Sequence, residues 1–256
     1  MIAALASRRF LPVYRRNLLV WRKLALASVV GNIAEPLITL IAFGYGLGRL
    51  LPEVGGVSYI LFLAAGSVCM GTAMATSFES LYSAFARMQV QRTWESLLNA
   101  PLELDDVVTA EWLWAASKGA LSGCSILAVV YALGVSREPT LLLVLPVIAL
   151  TGLCFSAIGL CFTALARGYD FFTFYFTLGI TPMVFLSGVY YPAEQLPAWL
   201  ASPAAWLPLA LAVELARPLV LGEWPAQATL KGAVLIMYTA MALALARALM
   251  ARRFRT

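Results

Sequence analysis

The polar stretch 91–106, QRTWESLLNAPLELDD, gathers the side chains best suited to a binding reaction. Arg92 and Glu95 can pair with charges on a partner, while Trp94, Leu97 and Leu98 supply apolar anchors. Trp and Arg are the residue types that most often dominate interface energy. The stretch lies between two long apolar runs, 57–78 and 107–133, so it reads as a short helix (91–101) lying between two membrane spans. Pro101 ends that helix. Asp105 and Asp106 then sit where negative charge complements the N-terminal dipole of the next span. A solvated loop with Trp94 at the lipid interface is the plainer reading of the same residues.

Four further ionisable groups stand out. Glu35 and Lys118 each fall 11 residues into an apolar run, counted from Leu24 and Val107. At about 1.5 Å per residue this is about 16 Å in, near the middle of a bilayer core of about 30 Å. An ionised group there costs about 2.5–3.5 kcal/mol or more unless compensated. The two suggest an intramembrane pair, or one polar cavity on a translocation path; a snorkelling Lys118 and a solvated Glu35 also fit. Glu214 and Arg217, at i and i+3, can pair on one helix face, either gating an outer exit or bracing a turn.

The absences narrow the chemistry. The chain has no His, which excludes Ser-His-Asp triads and His-ligated zinc. It has no GxxxxGK[ST] phosphate loop, so it cannot hold ATP in that way. Cys69, Cys124, Cys154 and Cys161 all fall in apolar runs and read as small packing residues rather than metal or disulfide sites. No catalytic, cofactor-binding or metal-binding set emerges. A membrane-embedded enzyme would need a nucleophile and a base at one depth, and none is found. A stand-alone channel would leave QRTWESLL unexplained.

The elements that position these groups are membrane helices. Of the 256 residues 62% are hydrophobic and 12% charged, against about 25% charged in soluble domains; mean hydropathy is +0.85. β-Barrel alternation is absent, since runs such as LLLVLPVIALTGL are apolar on every side. The expected fold is all-α, a single transmembrane domain over 1–256 with six spans at 24–48, 57–78, 107–133, 140–165, 171–188 and 228–249. The segment 189–227 is apolar but carries Pro197, Pro203, Pro208 and Pro218. Proline breaks helices, so this stretch reads as a re-entrant or interfacial segment of short helices.

With six spans and the N-terminus inside, thirteen of the eighteen Lys and Arg residues fall on the cytoplasmic side, four outside, and Lys118 within a span. That excess places both termini in the cytoplasm of a multi-pass inner-membrane protein. The pI of about 9.2 then reflects orientation rather than nucleic-acid binding. Within 1–23, Phe10, Tyr14, Leu18 and Trp21 share one face and the basic residues the other, the pattern of a helix lying in the membrane surface among anionic lipids. Gly44-x-x-x-Gly48 and Gly119-x-x-x-Gly123 allow close helix packing. Tyr190, Tyr191, Trp199, Trp206 and Trp224 crowd the outer side, as an interfacial belt or as stacking platforms for sugar rings.

Several stretches together resemble the ABC-2 type permeases, and within them the NodJ type of lipo-oligosaccharide (nodulation factor) export permease. They are GNIAEP at 31–36, GVSYILFLAAG at 56–66, FESLYSAFARMQVQRTWESLL at 78–98, LPVIALTG at 145–152, ALARGYDFFTFY at 164–175 and ITPMVFLSGVYYPAEQLP at 180–197. One departure is Leu211, where similar permeases more often place His or Tyr. The resemblance implies a homodimeric permease, not itself an enzyme, that binds no cofactor. It further implies a separate NodI-type ABC ATPase that holds ATP and Mg, with the 91–101 helix seated in a groove of that ATPase. The cargo implied is an amphipathic glycolipid or lipo-oligosaccharide; a drug, another lipid or a polysaccharide also suits the scaffold.

Overall fold

The computed structural model describes residues 8–255, with the side chains of residues 27, 29, 32, 33, 35 and 36 outside the description. Apart from one two-residue hairpin, the described chain is built of helices. Helix α1 spans Leu11–Arg22 and α2 spans Ala25–Gly46. Strands β1 (Glu53–Val54) and β2 (Val57–Ser58) form the antiparallel hairpin, pairing Glu53 with Ser58 and Val54 with Val57. Gly55 and Gly56 form its turn at φ +61° and +79°, a conformation that favours glycine.

Helix α3, Tyr59–Phe78, continues without a break through two π-helical segments, Glu79–Ser83 and Ala86–Val90. Arg92, in the left-handed region at φ 48°, turns the chain into the six-residue α4, Thr93–Leu98. Helix α5 spans Leu104–Ala132, and Glu103 and Asp106 form a reciprocal capping box at its start. A 3₁₀ turn at Pro139–Leu143 leads into α6, Val144–Leu165. Helices α7 (Asp170–Phe174) and α8 (Thr181–Leu186) are joined by a π segment, Tyr175–Ile180. After them come α9 (Ala198–Ala204), α10 (Pro208–Leu221) and α11 (Ala228–Arg253).

Among the described residues, four helices are long and apolar enough to cross a membrane: Tyr59–Val90, Leu104–Ala132, Pro139–Leu165 and Ala228–Arg253. The bent pair α9 and α10, broken by 83°, would make a fifth if it counts as one span. The apolar helix Asp170–Leu186 is shorter than these four. The break within the proline-rich segment follows from the Pro208 ring at the first turn of α10.

The core is built around α3, α5 and α6. Helix α10 packs on α3 and α6, α11 on α6, α2 on α3 and α5, and α1 on α5. Small residues permit the closest approaches. A Cβ at Gly119 or Gly123 would collide with Thr76 or Thr72 of α3, so the 119/123 pair works as its spacing predicts. Gly44 packs similarly on Ile60, whereas Gly48 faces open space. Buried hydroxyls and one indole bind the three central helices: Trp112 Nε1 donates to the Leu153 carbonyl (2.9 Å), Ser156 Oγ to that of Trp112 (2.7 Å) and Thr163 Oγ1 to that of Ser80 (2.6 Å). Cys69, Cys154 and Cys161 are buried free thiols within these helices, and Cys124 is half-buried.

Candidate functional site

The described ionisable groups converge most densely at the end of the molecule that carries α1, α4 and the end of α11. At its centre Arg87 forks between two carboxylates. Its Nη2 lies 2.5 Å from Glu111 Oε2 and 3.0 Å from Glu79 Oε1, and its Nε donates to Glu111 Oε1 at 2.9 Å. Glu111 is 1% exposed. The planar guanidinium donates to both oxygens of this buried carboxylate. Trp114 Nε1 donates to Glu79 at 2.8 Å and Asn17 Nδ2 to Glu111 at 3.2 Å.

The π-helical turns explain how Glu79 and Arg87 meet. In an α-helix, residues two turns apart are seven apart in sequence. Each widened i→i+5 turn takes up an extra residue, which brings residue 87 round to residue 79, eight positions earlier.

Helix α1 is tied into this centre. Tyr14 and Trp21 pack edge-on against Trp114, at 5.7 and 6.1 Å between ring centroids, and the Tyr14 hydroxyl lies 2.9 Å from Ser117 Oγ. Val13 and Asn17 are buried, while Leu18, expected on the apolar face, is exposed. The inward face is therefore rotated toward Asn17 and Arg16, because Asn17 follows its acceptor Glu111. Arg16 reaches Asn17 Oδ1 (3.2 Å) and Thr93 Oγ1 (3.5 Å), linking α1 to the start of α4. Burial and the neighbouring Arg87 hold the Arg16 guanidinium below its ordinary range, with Glu111 drawing it back up.

Helix α4 is held from inside. Trp94 is 0% exposed and its ring stacks on Phe254 at 6.0 Å. It therefore anchors α4 to the chain's own last helix and cannot serve as an apolar contact for a partner, a correction to the expectation from sequence. The cause is the entry geometry, since the left-handed turn at Arg92 sets which face of so short a helix points inward. Arg92 and Glu95 are exposed; Leu97 and Leu98 are half-buried against the core. The neighbouring Arg253 donates from Nη1 to the carbonyls of Thr163, Ala164 and Ala166 at 2.6–3.2 Å, closing the C-terminal end of α6. Asp105 binds Arg247 at 2.6 Å.

Lys118 lies half-buried on α5. Its Nζ donates to Ser28 Oγ at 2.6 Å and stands 5.2 Å from the centre of the Trp21 ring. The expected partner Glu35 has its side chain outside the described residues, so no pair between them is described. Ser28 lies two helical turns, about 10.5 Å, before position 35 on α2.

At the opposite end, Glu214 and Arg217 do not pair with each other. Glu214 binds Lys231 at 2.8 Å. Arg217 turns inward, with Nη2 2.5 Å from the Gly188 carbonyl and its guanidinium 3.7 Å above the Phe62 ring. Tertiary partners win over the i, i+3 spacing because Arg217 faces the core and Glu214 the last span. Leu211 is buried beside them. An apolar cleft of about 600 Å³ opens nearby, lined by Phe43, Tyr59, Phe185, Tyr190, Tyr191 and Gln195 among others. Trp199, Trp206 and Trp224 are exposed.

Sequence reasoning missed Glu79, Arg87 and Glu111 as a unit. One signal was available: Glu111, Trp114 and Lys118 fall at i, i+3 and i+7, one stripe of α5.

Comparison with known proteins matches residues 6–221 to the ABC-2 type transporter family. Nodulation protein J of Rhizobium leguminosarum bv. trifolii is 47% identical over 247 residues, 96% of this chain and 94% of the relative. Nodulation protein J of Rhizobium meliloti (strain 1021) is 44% identical over 98% of this chain and 97% of the relative. A more distant relative, the inner membrane transport permease YadH of Escherichia coli (strain K12), is 25% identical over 66% of this chain and 67% of its own length. With a family match and several relatives spanning nearly its whole length, the chain belongs to the ABC-2 type transporter family.

Proposed function

We propose that the chain is the membrane-spanning permease subunit of an ABC exporter, moving an amphipathic glycolipid or lipo-oligosaccharide outward as a homodimer. A separate NodI-type ATPase binds and hydrolyses the ATP. Six spans cross the inner membrane, with α2 and the apolar helix Asp170–Leu186 completing the set. The bent pair α9 and α10 forms a re-entrant segment on the outer side. The end carrying α1 and α4 faces the cytoplasm, as its excess of Lys and Arg supports.

The observation that carries this reading is the way α4 is mounted. It presents Arg92 and Glu95 outward while Trp94 fixes it to Phe254 and, through Arg16 and Thr93, to α1. A push on its outer face reaches α1, α3, α5 and α11 together. A conformational change requires differential interaction with two states, and ATPase subunits that close on nucleotide supply it at this face. The outer cleft beside Tyr190 and Tyr191 is large enough to receive part of an amphiphile on its way out.

The test is ATP hydrolysis by the reconstituted permease with its ATPase, across a panel of lipo-oligosaccharides, glycolipids and drugs. Stimulation by the glycolipid class, lost in Glu95→Ala, supports the proposal. Permease that moves cargo without any nucleotide-hydrolysing companion would contradict it.

A further inference from the structure

A cleft of about 380 Å³ lies between α1, α2, α3 and α5. Arg16, Lys118, Arg87 and Glu79 line it, and Val20 and Leu24 form an apolar rim. Arg87 is engaged by Glu79 and Glu111. Arg16 and Lys118 have no carboxylate within ion-pair distance among the described residues; their hydrogen-bond acceptors are Asn17, Thr93 and Ser28, all neutral. The two carboxylates and three cations leave one formal positive charge. The lining also holds surplus donors. Among the described residues, two of the three ammonium protons of Lys118 and the buried indole N–H of Trp21 have no acceptor.

We propose that this cleft seats the anionic headgroup, a phosphate or sulfate ester, of an acyl-chain amphiphile. Arg16 and Lys118 neutralise the headgroup. An ester oxygen anion suits a lining in which three cations, Arg16, Arg87 and Lys118, outnumber the single carboxylate of Glu79, and charge-assisted bonds are the strong ones. The amphiphile is indicated by the rim. Val20, on α1, and Leu24, in the turn between α1 and α2, are 55% and 67% exposed and line the cleft with the cations. An acyl chain can lie along them while the headgroup enters; a free anion would leave them unused. The assignment needs the membrane placement but not the exporter reading, because binding is measured without ATPase or nucleotide.

The test is native mass spectrometry of the full-length permease in detergent, titrated separately with phosphatidylglycerol, sulfatide and phosphatidylcholine. Either anionic lipid should bind about tenfold more tightly than phosphatidylcholine, the size of one charge-assisted contact. Preference for phosphatidylglycerol assigns the cleft to bilayer lipid and preference for sulfatide to cargo; both satisfy the proposal. Arg16→Gln and Lys118→Met should each remove most of that preference while leaving the thermal midpoint close to wild type. Arg137→Gln, in the exposed loop beyond the far end of α5, should retain it. Equal binding of all three lipids would overturn the proposal, as would an unchanged preference in both cleft variants. Displacement by inorganic phosphate without any lipid preference would make this a free-anion site and overturn it as well.

Discussion

The two ends of the molecule are held together by different means. At the basic end Arg87, Glu79, Glu111, Asn17 and Trp114 form one connected network, and Trp94, Phe254 and Arg253 lock the neighbouring helices to each other. At the opposite end the contacts are separate: Glu214 with Lys231, Arg217 with one carbonyl and one ring, and aromatic side chains around an open cleft. A network whose members share partners moves as a unit, whereas isolated contacts can be exchanged one at a time. The contrast suits a device that receives force at one end and rearranges at the other.

The sharpest way to break the contrast is Arg87→Met. It strands the buried carboxylate of Glu111 and the half-buried one of Glu79, so a loss of about 3–5 kcal/mol is expected, read as a collapse of the folded yield and thermal midpoint in detergent. Trp94→Ala should cost a similar amount, about 3–5 kcal/mol, because a fully buried ring leaves a cavity. Its effect should appear in thermal unfolding of the permease alone, without the ATPase. Loss of ATPase binding with unchanged stability in that variant would return Trp94 to the docking face.

Gly119→Ala probes the central packing between the two ends. A Cβ there meets Thr76, so about 1–3 kcal/mol of overpacking strain is expected. Adding Thr76→Ser should not relieve it fully, since the Thr72 carbonyl also lies within 2.8 Å of the new atom. The smallest effect belongs to the opposite end. Glu214→Gln should change stability by about 0–1 kcal/mol, as for other partly exposed pairs. A change as large as that of Arg87→Met would erase the distinction between the two regions.

Much of the frame is legible in the sequence, because a bilayer demands long apolar runs and the chain supplies them. The helices at Ala25–Gly46, Leu104–Ala132 and Ala228–Arg253 begin and end close to the runs at 24–48, 107–133 and 228–249. The polar stretch at 91–101 announces its short helix, and four prolines announce the break between α9 and α10. Side-chain direction is where sequence reading fails. Glu79 and Arg87 are eight apart, which sets them about 80° from each other round an α-helix, and the π turns change the phase so that they meet. Trp94 reads as an apolar contact for a partner, but the left-handed Arg92 aims it inward, against Phe254. Arg217 and Glu214 have the spacing of a local pair and find stronger partners elsewhere in the fold.

The central claim is that α4 meets a separate ATPase through its outer face while its inner face binds the permease itself. The most direct measurement is the affinity of purified permease for its ATPase subunit in Glu95→Lys, with the thermal midpoint of the permease recorded alongside. The account predicts at least about a tenfold weaker association with an unchanged midpoint. Wild-type affinity in that variant, with Arg92→Glu behaving the same way, would contradict it.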